Sequence, residues 1–303
     1  MSTSKRQART DRARVVAEMR EAQARAERRR RLLVAGAVAG VVLVVAAVLV
    51  GIGLTRGQDS GGTANGSSGA STTVAKQVSA VPATTLDTVG PGTATPSVTR
   101  ISAPPLTRDG KPRVLYVGAE YCPYCAAQRW PVAVALARFG TWTDLGQTHS
   151  ATQDVFPDTA TLTFHGAGYR SSYLSFTGVE TTTNQPSNGG YEPLDTLTPA
   201  DDKVFATYNK PPYVSGQGGS IPFVDLGGRF VSSGASFTPQ LLAGKTHEQI
   251  AAALSDPASA IAKAVDGAAN SYTAALCTLT HGKPGSVCGS SGVKAAAGTI
   301  KGG

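Results

Sequence analysis

Leu32 to Leu54 (LLVAGAVAGVVLVVAAVLVGIGL) are 23 consecutive positions without a charged or strongly polar side chain. Coiled as a helix at about 1.5 Å per residue, such a run reaches about 34 Å, enough to cross a hydrocarbon core of roughly 30 Å. Cleaved signal peptides have a shorter apolar region, of roughly 7 to 15 residues, and a small-x-small cleavage site. The run is therefore read as a retained transmembrane helix over 32–54, with the lipid bilayer as its partner. It sets the topology of everything on either side.

Residues 1–31 carry eleven Lys or Arg against Asp11, Glu18, Glu21 and Glu27, a charge of +7 out of the chain's net +8. The positive charge is thus a tail beside the apolar run and not a folded face, so no nucleic-acid partner is expected. Basic residues on the amino-terminal side, with only Arg56 close on the other, hold 1–31 in the cytoplasm and place everything after Thr55 outside. Within the tail, Glu21 and Arg25, and Glu27 and Arg31, stand at helical i,i+4 spacing. It is read as a solvated topogenic helix touching anionic headgroups.

Beyond the run, RGQDSGGTANGSSGASTT is almost free of apolar residues, which makes 55–73 a flexible tether. The remainder, 74–303, is one extracytoplasmic domain, and 41% hydrophobic residues suffice for a core. Up to Leu106 it is punctuated by Pro and Gly, fitting a short helix and an extended strand at the domain edge. Strand-like runs follow at Thr161 (TLTFHG) and Ser172 (SYLSFTGVE). Thr198 and Pro199 open a helix that stops at Asn209, ahead of Pro211. SIPFVDLGGRFVSSG reads as a β-hairpin turning at Gly227-Gly228. Thr246 and Gln249 make a capping box, and Asp256-Pro257 opens a last long helix to about Thr280.

The chemistry centres on VLYVGAEYCPYCAAQRWPVAVALARFG, Val114 to Gly140. A β-branched and aromatic run leads into Cys122; Pro123 favours the first helical position, and Ala, Val and Leu continue to Phe139. A cysteine reacts as its thiolate, and a free pKa of roughly 8.5 leaves little of it ionised at neutral pH. As N-cap, Cys122 would present its sulfur to unpaired N–H groups at the positive end of the helix dipole, which favours the anion. Cys122 is then the attacking thiol, and Cys125, one turn inward, the resolving one. Glu120 acts against this by like charge, unless it points away or accepts a proton. Pro131 should kink the helix, and Trp130 is read as core or rim packing.

This strand-turn-helix resembles the thioredoxin superfamily, with the Pro-Tyr dipeptide that glutaredoxins carry between their cysteines. The resemblance extends to SIPFVD, where that superfamily places a cis-proline beside the active disulfide. It implies a cis Pro222, with Ile221, Pro222, Pro123 and Tyr124 on the substrate side and the Ile221 backbone pairing with an extended peptide. More closely, GAEYCPYCAAQRW, YLSFTGVET, IPFVDLGGRF and ANSYTAALCTLTHGKPGSVC, within Val74 to Val293, are similar to the single-span membrane proteins of the domain of unknown function 929 family. The fold class expected is α/β, a thioredoxin-like fold behind one transmembrane helix. Residues 141–220 would be an insertion between the CxxC helix and the hairpin, forming a cap.

Cys277 and Cys288 stand eleven residues apart, past HGKPG, and outside the membrane such a pair usually oxidises. Closing a loop of about a dozen residues would add roughly 3 kcal/mol by loop entropy. A structural disulfide leads, with an electron relay to Cys122 and Cys125, or metal binding, as the alternatives. A zinc site normally shows two closely spaced ligand pairs, whereas His149, His165, His247 and His281 are scattered singly, so no metal or other cofactor is expected. The function expected is a thiol–disulfide oxidoreductase, oxidase or isomerase before reductase, acting on protein cysteines. The span holds no cysteine, histidine or acid, so regeneration falls to an integral-membrane thiol oxidase or reductase. The competing class is a cell-envelope binding or assembly module in which CPYC is an inert staple.

Overall fold

The structure, a computed structural model, describes residues 66–95 and 97–302. The basic tail, the apolar run 32–54 and the tether up to residue 65 lie outside the described residues. Among the described residues no helix is long and apolar enough to cross a membrane.

Helices α1 (Gly66–Ser79) and α2 (Ala83–Val89) precede strands β1 (Thr99–Arg100), β2 (Thr107–Arg108) and β3 (Lys111–Gly118). Helix α3 (Pro123–Ala137) follows. Next come β4 (Thr141–Thr143), β5 (Gly146–His149), β6 (Ala160–Thr163), β7 (Gly168–Arg170), β8 (Ser175–Glu180), β9 (Thr182–Ser187) and β10 (Gly190–Pro193). Helix α4 (Pro199–Tyr208) leads to the hairpin β11 (Phe223–Leu226) and β12 (Phe230–Ser233). Helices α5 (His247–Ala253), α6 (Ala260–Leu279), α7 (Gly285–Cys288) and α8 (Ser291–Ala297) close the chain. The protein is a mixed α/β structure.

β3 is the centre of the main sheet. β8 lies parallel to it on one side, with Gly118 opposite Glu180. β11 lies antiparallel on the other, with Phe223 opposite Val117, and β12 and β1 continue outward. Alternation of side chains sorts the sheet into two faces. Val114, Tyr116, Val224, Leu226 and Phe230 enter a large core with α3 and α6. Leu115, Val117, Phe223 and Val231 face the other way, under Phe205 and Tyr208 of α4. Trp130 is fully buried in the large core, its indole N–H on the Ala160 carbonyl.

Three expectations need correction. Residues 141–220 are not only a cap: their segment β8 is a full partner of β3, because Phe176 and Val179 bury against opposite faces of the sheet. The helix expected beyond the tether begins at Gly66, inside the stretch read as flexible through Thr73. Val74 and Val78 anchor it in the core, and extending a helix that packing has nucleated costs far less than starting one. The long helix α6 starts at Ala260, capped by Ser259 Oγ, since Asp256 is used in a turn: its carbonyl accepts Ser259 N–H and its side chain Ala258 N–H. Nor is it the last helix. α8 buries Val293 and Ala296, and Lys301 pairs beside β1.

Several other elements stand as read. α4 is capped by Thr198 with Pro199 at its first turn, and α5 carries the Thr246–Gln249 capping box. The hairpin turns at Gly227 and Gly228, both at positive φ, which the turn requires.

Candidate functional site

β3 delivers the chain to the motif and α3 carries it away. Cys122 is the N-cap of α3, in an extended conformation, with Pro123 in the first turn. Its Sγ accepts the Cys125 N–H at 3.2 Å, and its own N–H is held by the Ala119 carbonyl at 3.3 Å. Both cysteines are free thiols. Cys125 is fully buried; Cys122 keeps 5% of its surface accessible, which makes it the only one of the two a second molecule can approach.

Electrostatics separate the pair further. The Cys122 thiol is pushed below the ordinary cysteine value, first by a hydrogen bond from Cys125. The N–H groups of Cys125 and Tyr124 and the positive charge of Arg129 act in the same direction, all against burial. Burial drives the Cys125 thiol well above its ordinary value, and donating to Cys122 adds to that.

Beneath the motif lies an ion pair that sequence reasoning missed. Arg129 and Glu180 are both fully buried and joined twice, Nε to Oε1 at 2.8 Å and Nη2 to Oε2 at 2.7 Å. Nη2 also donates to the Ala119 carbonyl at 2.7 Å. Glu180 holds the Arg129 charge against burial, raising its pKa well above the ordinary value. Tyr116, one strand over, is fully buried and kept neutral by desolvation. Arg129 stands four residues after Cys125 in an otherwise uncharged helix, the one signal available in the sequence.

Of the substrate-side residues, Ile221-Pro222 is a cis peptide bond, as the resemblance implied. The register of β11 on β3 puts Pro222 level with Gly118, at the end of the sheet where the motif sits. The Pro222 ring is buried and its carbonyl accepts Gly234 N–H, whereas Ile221 is half-buried. The backbone of Ile221 has no hydrogen-bond partner among the described residues. Pro123 is buried as part of the helix start, and Tyr124 is exposed, its ring edge-on to Phe156. Tyr121 stacks on Tyr191 with centroids 4.2 Å apart. Beside that stack a cavity of about 430 Å³ opens between Ala151, Gln153, Asn184 and Gly190. The cap portion of 141–220 therefore does flank the motif.

Glu120 turns toward β5 and accepts the Thr148 hydroxyl at 3.3 Å. The histidines are not all solitary: His149 and His247 meet edge to face at 4.6 Å, because capped α5 packs beside the β5–β6 hairpin. His247 Nε2 lies 2.8 Å from the Thr148 carbonyl and 3.0 Å from the Thr161 carbonyl, so it is the protonated, donating nitrogen. His165 pairs with Asp195, and His281 is exposed in the turn after α6. Among the described residues no three His, Cys, Asp or Glu come together as metal ligands. Cys277 and Cys288 form a disulfide that ties the end of α6 to α7, far from Cys122 in the chain.

Residues 97–192 match the family model described as Domain of unknown function (DUF929). The chain carries a DUF929 domain. The matched stretch runs from the residues before β1 into β10, so it contains Cys122, Cys125, Arg129 and Glu180, and ends before Pro222. No curated protein and no solved structure matches the chain.

Proposed function

We propose that this DUF929 protein is a membrane-anchored, extracytoplasmic thiol–disulfide oxidoreductase acting on protein cysteines. The observation that carries the reading is the asymmetry of the pair: a helix-capping Cys122 with lowered pKa beside a fully buried Cys125 with raised pKa. A thioredoxin-like fold accounts for the sheet order, in which β3, α3 and parallel β8 are followed by the antiparallel β11–β12 hairpin and a closing helix. The unpartnered backbone of Ile221 suits pairing with an extended client segment.

In the oxidising direction a client thiolate attacks Sγ of Cys122 in the Cys122–Cys125 disulfide. The S–S bond breaks, its electron pair leaves on Cys125, and a mixed disulfide forms. A second client thiolate then attacks the client sulfur of that bond and releases Cys122 as thiolate, so the client is oxidised by two electrons and the pair reduced. Reduction of a client disulfide is the reverse. The oxidising side of the membrane favours oxidase or isomerase, with an integral-membrane thiol oxidase or reductase resetting the pair.

A second reading, a cell-envelope assembly module with CPYC as a structural staple, draws on the low accessibility of Cys122. Cys125→Ala separates the two. The oxidoreductase holds clients on Cys122 as reducible mixed disulfides in cells; the staple holds none, and an empty trap rejects the enzyme.

A further inference from the structure

Thiol–disulfide exchange requires Cys125 to carry a negative charge where no water reaches it: as leaving group when the pair is attacked, as nucleophile when it closes. Cys125 is fully buried. Arg129 follows it by four residues on α3, which places both side chains on one face one turn apart. The guanidinium is itself fully buried, and Nη1 has no hydrogen-bond partner among the described residues. Its other donors are fixed by Glu180 and by the Ala119 carbonyl, the same oxygen that accepts Cys122 N–H. The other arginine buried among the described residues, Arg113, lies at the opposite end of β3 and is paired with Asp201.

A buried ion pair is a poor source of stability, since apolar residues of similar volume usually serve the fold as well or better. Its placement under the motif therefore calls for another account. Resting on the redox reading above, we propose that Arg129 is a positioning residue for exchange, holding the Ala119–Cys122 turn and stabilising the Cys125 thiolate, while Glu180 sets how much of that positive field the sulfur receives. The charged and titratable groups facing Cys125 are Cys122 and Arg129 from the motif and α3, Glu180 from β8, Tyr116 from β3 and Tyr121 from the turn between β3 and α3. The signs agree: Arg129 lowers the Cys125 pKa, whereas Glu180 and Cys122 raise it, and burial has kept Tyr116 neutral.

The test titrates the Cβ NMR shift of labelled Cys125 in reduced full-length protein in detergent, in a Cys122→Ser background. Glu180→Gln, which removes the anion and keeps the cation, should raise the Cys125 thiolate fraction at a given pH about tenfold. Arg129→Met with Glu180→Leu, which removes both, should shift ionisation the opposite way, and Arg129→Lys should stay near the parent. With Cys122 restored, Glu180→Gln should make the pair more oxidising against glutathione buffers, and the double variant less so. Shifts of one sign in both variants, or none in folded proteins, would overturn the proposal, as would loss of the effect in Arg129→Lys. Should Glu180→Gln not fold, the double variant against Arg129→Lys decides it by the same sign. The titration needs no client, so opposite shifts together with an empty Cys125→Ala trap would uphold Arg129 and reject the enzyme.

Discussion

Asp266 supplies a prediction whose size can be worked from the structure. It is fully buried on α6, and neither carboxylate oxygen has a hydrogen-bond partner among the described residues. The charge that compensates it in part is Arg138, whose guanidinium is committed to Asn270 Oδ1 at 2.8 Å and Thr273 Oγ1 at 3.2 Å. Burial, offset only in part by Arg138, pushes the Asp266 pKa up to about 8. In the unfolded chain it returns to roughly 3.9, so between those values the folded state binds the extra proton. Stability therefore falls as pH rises through this window and levels off above it. From pH 5 to pH 9 the loss amounts to about 4 kcal/mol. Asp266→Asn removes the titration and leaves every other group in place, so the assay is the difference between parent and variant urea midpoints, in detergent, across that range. The variant's advantage over the parent should grow by about 4 kcal/mol between pH 5 and pH 9. Parallel curves would mean that Asp266 is solvated or paired, and the reasoning from unpartnered oxygens would fail.

Other substitutions test the packing that positions the motif. Gly118→Ala places a Cβ 2.5 Å from Tyr116 Oη, inside a closed core, and should cost about 1–3 kcal/mol in thermal or urea unfolding. Tyr116 is fully buried and packs edge-on to Phe164, which restricts its ring, and a neutral result would refute that packing. Cys277→Ser with Cys288→Ser opens a loop of about a dozen residues and should cost roughly 3 kcal/mol while leaving the alkylation rate of Cys122 unchanged. A changed rate would instead favour the relay.

Much of the fold was legible where one residue type has one physical use. Thr198-Pro199, Thr246 with Gln249, and Gly227-Gly228 each announced a cap or turn that the structure contains. Cys122 before Pro123 announced the N-cap of α3 in the same way. Where two residues compete for a role, local signals failed: Asp256 and Ser259 are both good N-caps, and only the turn at Asp256 gives the role to Ser259. The strand-like run ending at Glu180 was visible, but its place beside β3 depends on a pairing across more than fifty residues. For the same reason the acid read as an ordinary strand end, although it is the partner of Arg129. The β9–β10 hairpin was missed although Asn188-Gly189, both at positive φ, marks its turn; its polar strands lack the alternation that would have drawn attention to it.

The central claim is that Cys122 is a reactive thiolate at the head of α3, and alkylation across pH measures it directly. Reduced, natively folded protein treated with a small alkylating reagent should be modified at Cys122 alone, with a rate that rises through a pKa below the ordinary cysteine value of roughly 8.5. Cys125 should remain unmodified until the protein unfolds. A Cys122 that resists the reagent, or that ionises only at or above the ordinary value, would contradict the account.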